Sequence, residues 1–256
     1  MTKKHFCSRE RIVLKRKRLF CIPYAGGLAG YYLRFNRLLD SSWVVCPIEL
    51  AGRGSRTNDA FYSSMDDAVE DVYRQITDQI NDEPYFIFGH SMGALIAYEV
   101  CLKLVKSTKK MPVHVFFSAK NPPYISETTQ YSKMSNQELL NELKKWGGTP
   151  SHFFDDPKLF EHFLPIIRSD LTMIDKGQLK DEIIYIDITV MWGKEDKDRR
   201  MMQGWENMTF KTCRFVEFEG GHFYINDKLK EVSEIINDTA ELINRNSDTW
   251  EVQYHE

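Results

Sequence analysis

The chain predicts an α/β fold: a mostly parallel central sheet flanked by helices, with a helical insertion over one sheet edge. Three observations predict it. Short apolar runs of strand length alternate with longer stretches whose apolar residues recur at helical spacing. A single long segment, residues 121–178, contains helix-like pieces but no convincing strand. One strand ends in a glycine-flanked serine that leads directly into helix-forming residues.

In chain order the first segment, residues 1–18, is a basic arm. It carries Lys3, Lys4, Arg9, Arg11, Lys15, Arg16, Lys17 and Arg18 against the single acid Glu10. A segment of this kind reads as a solvated terminus or as a local patch for an acidic partner. Residues 19–256 read as a single domain. Leu19–Ile22 is a strand ended by Pro23, and Trp43–Ile48 is a second. Met65, Val69, Val72, Ile76 and Ile80 recur on one face of a helix. Tyr85–Phe88 predicts a strand, Gly93–Leu104 a helix and Val113–Phe117 a strand.

The insertion at about 121–178 is broken by Gly147, Gly148, Pro150, Pro157 and Pro165 and is dense in large apolar residues. The C-terminal edge of an open α/β sheet binds ligands, so a helical insertion there reads as a lid. Ile183–Trp192 and Arg214–Phe218 complete the strands, and Leu229, Val232, Ile236, Ala240 and Ile243 line one face of a closing helix.

Composition narrows the function classes. The 256 residues are 42% hydrophobic and 28% charged with a formal net charge of −3, which excludes collagen-like, coiled-coil and disordered chains. A chain of this length buries roughly 70–75% of its unfolded surface without needing staples. A pI near 6.2 gives no global field for nucleic acid. No run approaches the ~18–20 apolar residues of a membrane span, and the N-terminus lacks the apolar core of a secretory signal. Cys7, Cys21, Cys46, Cys101 and Cys213 are scattered without CxxC spacing, as reduced thiols of a cytoplasmic protein are. The expectation is a cytoplasmic monomer that binds neither nucleic acid nor membrane.

The chemistry centres on Gly89-His90-Ser91-Met92-Gly93, a G-x-S-x-G pattern with a strand before it and Ala94-Leu95-Ile96-Ala97 after it. That context predicts a nucleophile elbow, a strained turn holding the Ser91 hydroxyl above the sheet edge. Serine needs a base oriented by a third group. In hydrolase sheets the chain order is serine, acid, histidine. His114 falls inside a strand, His255 at the terminus, and His152 and His162 in the lid, whereas His222 sits in the glycine-supported loop after the last strand. His222 is the predicted base. The Ser118-Ala119-Lys120-Asn121 stretch holds no acid, which moves the acid to Met191-Trp192-Gly193-Lys194-Glu195-Asp196. Asp196 is preferred there, with Glu195 as the alternative. Predicted oxyanion donors are the Met92 amide and, from the loop Pro23-Tyr24-Ala25-Gly26-Gly27, the Ala25 amide. The sequence contains no HExxH, paired-cysteine or EF-hand pattern, so neither a metal nor a cofactor is expected.

These residues resemble the type II thioesterases, stand-alone α/β-hydrolases that serve polyketide, nonribosomal peptide and fatty acid synthases. The resemblance spans about residues 19–245. It rests on Cys21–Gly27, Glu49-Leu50-Ala51-Gly52-Arg53-Gly54-Ser55-Arg56, Phe88–Gly93, Gly147-Gly148-Thr149-Pro150, Leu164-Pro165-Ile166-Ile167-Arg168-Ser169-Asp170 and Gly220-Gly221-His222-Phe223-Tyr224. It departs at Ala51 and Lys197, where the family commonly has proline. The resemblance implies hydrolysis of acyl thioesters on the phosphopantetheine arm of acyl or peptidyl carrier proteins, through an acyl-Ser91 intermediate. It also implies the lid reading of 121–178, and says nothing about the basic arm.

Overall fold

The computed structural model describes residues 16–107, 109–125, 129–148, 156–177 and 180–252, without side chains from 246 onward. Six parallel strands form one sheet: β1 Lys17–Ile22, β2 Trp43–Pro47, β3 Tyr85–His90, β4 His114–Ser118, β5 Ile188–Gly193 and β6 Cys213–Phe218. Their order is β2-β1-β3-β4-β5-β6. Side chains alternate across the strands, so each strand feeds two cores. Phe20 and Ile22 of β1 and Ile87 of β3 join the core beneath α1 (Met65–Thr77) and α2 (Met92–Val105). Leu19, Cys21 and Phe88 join the opposite core beneath the 3-10 segment Ala29–Arg37 and α5 (Leu229–Val252).

The helices start where the sequence supplies caps. Ser64 accepts the Asp67 amide at the head of α1, whose first turn carries Asp66 and Asp67. α2 is buried on nearly every side, which is why its sequence is apolar around its whole circumference.

Three expectations change in the structure. Lys17 and Arg18 belong to β1 rather than to the basic arm: Lys17 is buried, 3.4 Å from Asp40 and lying over the Trp43 ring, and Arg18 pairs with Glu83 at 2.9 Å. Their aliphatic stems pack while their charges find partners. The other arm residues, 1–15, lie outside the described residues. The strand expected over 183–192 begins only at Ile188, preceded by an isolated bridge between Ile184 and Thr209. Between them side chains replace the ladder, since the Thr209 hydroxyl donates to Ile186 O and Asp187 accepts the Thr212 amide. Finally, Pro165 does not break the lid helix. That helix, α4, runs Pro157–Lys176. The ~3 kcal/mol a proline costs mid-helix is offset by burial of Ile166, Ile167 and Leu171 on its inner face.

The sheet order reverses direction at β1, which has β2 on one side and β3 on the other. Ile22 and Gly89 are register partners there, so the loops leaving β1 and β3 emerge side by side. Such a switch point opens a crevice at the C-terminal strand ends.

Candidate active site

Ser91 occupies the turn between β3 and α2 with φ 55° and ψ −115°, a backbone conformation costly for any residue with a Cβ. The flanking glycines permit it. A Cβ on Gly89 would lie 2.2 Å from Gly93 O, and one on Gly93 would lie 2.1 Å from Ile22 O. The first turn of α2 therefore rests directly on the ends of β3 and β1. The Ser91 amide donates to Ser118 O at 2.8 Å, tying the turn to the end of β4.

A second backbone contact brings the acid and the imidazole together. A Cβ on Gly193 would meet Gly221 O at 2.1 Å, so the end of β5 touches the loop after β6. The Lys194 amide donates to Phe218 O and the Glu195 amide to Gly220 O, stitching the two loops. Across this seam His222 Nδ1 lies 2.8 Å from Asp196 Oδ2, and His222 Nε2 lies 2.9 Å from Ser91 Oγ. Asp196 is 12% exposed and His222 14%. Glu195 projects into solvent and takes no part.

The other histidines lie elsewhere. His114 starts β4 at the opposite sheet edge, against Thr189 at 2.8 Å, and His162 is exposed on α4. His152 and His255 lie outside the described residues.

Ala25 sits in the turn after β1, closed by the Gly27 amide on Tyr24 O at 2.8 Å, with Gly26 at φ +77°. Among the described residues neither the Ala25 nor the Met92 amide donates to another group, so both are free to meet a developing oxyanion.

The lid lies over this edge. α3 (Asn136–Trp146) opens with a reciprocal Ser135–Glu138 capping box and closes at Gly147 with φ 75°. Leu139 and Leu143 of α3 pack on Ile167 and Leu171 of α4. A cleft of about 570 Å³ opens between lid and sheet, with Ser91 and His222 at its floor and Tyr24, Leu143, Trp146 and Phe163 among its walls. Its size and apolar lining suit a small molecule or an acyl chain.

Two features escaped the sequence reading. His90 is fully buried, with Nδ1 2.8 Å from Ser118 Oγ, which in turn lies 2.6 Å from the Tyr224 hydroxyl. Burial, reinforced by the nearby His222, holds the His90 imidazole well below its ordinary range and hence neutral. Its ring is 5.5 Å from that of His222, so a neutral His90 leaves His222 free of a like charge. The second feature is a buried ion pair between Arg53 and Asp170, 2.6 Å apart through two parallel contacts. Both residues stand in motifs the sequence displays, but their partnership across 117 positions had no local signal.

No helix among the described residues is long and apolar enough to cross a membrane. Several proteins that this chain resembles are named for biosynthetic systems. The gramicidin S biosynthesis protein GrsT of Aneurinibacillus migulanus is 31% identical over 223 residues, 86% of this chain and 87% of that protein. The human medium-chain S-acyl fatty acid synthase thioesterase is 28% identical, covering 84% of this chain and 83% of its own. Among solved structures, ClbQ from the colibactin NRPS/PKS pathway superimposes with a TM-score of 0.84 at 30% identity, over 90% of this chain and 99% of that one. RedJ, the thioesterase of prodiginine biosynthesis in Streptomyces coelicolor, gives 0.82 at 25% identity, over 88% and 90%. The fold is the α/β-hydrolase fold of these enzymes. The thioesterase domain family matches residues 17–240, from the first strand into the closing helix, and the chain belongs to that family.

Proposed function

We propose that this chain is a type II, stand-alone editing thioesterase that removes acyl groups from the phosphopantetheine arm of carrier proteins in a polyketide, nonribosomal peptide or fatty acid synthase. The observation that carries the reading is the Ser91–His222–Asp196 hydrogen-bonded chain at the floor of an apolar cleft beneath a lid. GrsT and ClbQ, each named for such a biosynthetic pathway, support the class of partner.

His222 Nε2 takes the Ser91 proton as Oγ attacks the thioester carbon. Asp196 accepts the Nδ1 proton's hydrogen bond, holds the ring in that tautomer and stabilises the imidazolium without taking its proton. The Ala25 and Met92 amides receive the oxyanion. The C–S bond then breaks, the His222 proton goes to the leaving sulfur, and the acyl group stays on Ser91. Water repeats the sequence: His222 takes its proton, the hydroxide oxygen bonds to the acyl carbon, and Ser91 leaves reprotonated. The chemistry consumes only thioester and water, without metal or cofactor. The proposed working form is a cytoplasmic monomer that meets its substrate on the arm of a carrier protein.

The test presents one acyl group three ways, on holo carrier protein, on coenzyme A and as a simple oxyester, with Ser91→Ala as control. Preference for the carrier-bound thioester, abolished in the variant, is the expected result. Preference for the oxyester would reduce the assignment to a small-molecule esterase.

A further inference from the structure

The Arg53–Asp170 pair lies in the wall between the lid and the oxyanion turn. Asp170 is on α4, and Arg53 is in the loop after β2; their side chains are 2% and 1% exposed. Asp170 Oδ1 accepts Arg53 Nη2, and Oδ2 accepts Arg53 Nη1, both at 2.6 Å. Oδ2 also accepts the Gly26 backbone amide at 2.8 Å. Arg53 reaches the same turn, its Nη1 donating to Gly27 O at 3.4 Å. Gly26 and Gly27 are the residues immediately after Ala25. α4 also touches the turn sterically, since a Cβ on Gly26 would stand 2.8 Å from Ile167 Cγ1. One carboxylate and one guanidinium thus hold the Gly26 amide and the Gly27 carbonyl, the two residues that follow Ala25 in the turn.

A buried pair of this kind is not itself a strong stabiliser, because desolvating both charges offsets their attraction. A lid root could be packed as well with apolar side chains. What apolar side chains could not do is accept the Gly26 amide. We infer that Asp170, oriented by Arg53, is a positioning residue: it fixes the peptide planes of the Tyr24–Gly27 turn so that the Ala25 amide is preset toward the thioester oxyanion. The lid helix thereby sets the oxyanion geometry as well as walling the cleft. This rests on the thioesterase reading and on Ala25 as an oxyanion donor.

A positioning role for Asp170 affects rate separately from stability and from acyl binding. Asp170→Asn keeps the size of the side chain but loses one Arg53 contact and weakens the Gly26 acceptor. Its kcat is expected to fall about 10- to 100-fold, a part of the 10²–10³ that loss of a whole donor costs. KM is expected to stay within about twofold, because the apolar cleft walls are unchanged. Single changes leave a buried partner uncompensated, so the deciding protein is the double variant Arg53→Met with Asp170→Leu, which removes both charges and keeps the volume. It is expected to melt within a few degrees of the parent and still show a kcat at least about tenfold low. Its inhibition by a trifluoromethyl ketone, whose Ser91 adduct carries an oxyanion, should weaken by the same factor as kcat/KM. If the double variant recovers kcat to within about threefold of the parent, the pair is only a packing device and the inference falls. If the parent hydrolyses no acyl thioester at all, the functional reading fails first and takes the inference with it.

Discussion

Gly93→Ala tests whether the serine turn depends on the contact between α2 and β1. The added Cβ would lie 2.1 Å from Ile22 O, 2.8 Å from Ile22 C and 2.9 Å from Pro23 O. All three are backbone atoms at the end of a central strand, so no side chain can swing aside. Restoring an ordinary contact requires the first turn of α2 to move away by about 1 Å, and the Ser91 side chain and the Met92 amide ride on that turn. The 2.9 Å approach of Ser91 Oγ to His222 Nε2 would lengthen beyond hydrogen-bonding reach. A misplacement of about 1 Å can cost on the order of 10²-fold in rate. Overpacking costs roughly 1–3 kcal/mol of stability, or a Tm drop of about 3–10 °C for a domain of this size. Steady-state hydrolysis of an acyl-pantetheine thioester and a thermal melt measure the two effects. Gly30→Ala is the matched control, since a Cβ there meets nothing within 4 Å, and both its kcat and Tm should stay at parental values or slightly above. A Gly93→Ala protein with kcat within about threefold of the parent would refute the reasoning from contact to geometry to rate.

Other consequences follow from single side chains. Asp196→Asn should lower kcat on the order of 10³–10⁴ by releasing the His222 tautomer, while Glu195→Gln, in solvent one residue earlier, should change it less than about twofold; steady-state kinetics of the two separate them. Ser91→Ala and Ser91→Gly should both be inactive, but the glycine form should melt higher because it removes the strain of φ 55°, worth about 1–3 kcal/mol. Burial pushes His114 down to about 4 from its ordinary 6.5, so between those pH values the unfolded chain binds the extra proton. Stability should therefore be flat above about pH 6.5 and fall by up to about 3 kcal/mol as pH drops through 4, with the neutral buried His90 adding to the same trend. Denaturant midpoints at pH 7 and pH 4.5 should differ less in His114→Gln than in the parent; an equal difference would remove His114 as a cause.

The alternation of strands and helices, the serine turn and the histidine loop were legible in the sequence because each is encoded within a few consecutive residues. Strand runs such as Tyr85–Phe88 are apolar on both faces, and Gly89 and Gly93 mark a backbone approach that no side chain tolerates. The choice between Glu195 and Asp196 was different. The two acids are adjacent and alike in chemistry, and what separates them is the seam where Gly193 meets the Gly220-Gly221 loop, which points one inward and leaves the other in water. Pro165 inside α4 and Lys17 inside β1 likewise follow from what packs against them, since burial of Ile167 or an Asp40 partner outweighs a local propensity. The Arg53–Asp170 pair lies furthest from local reading. Its members are neighbours only because the sheet reverses at β1 and the lid returns α4 over that point. Local sequence sets the backbone preferences of each segment, whereas which charged side chains can be buried together depends on the partners that distant segments bring, and only the tertiary structure decides that.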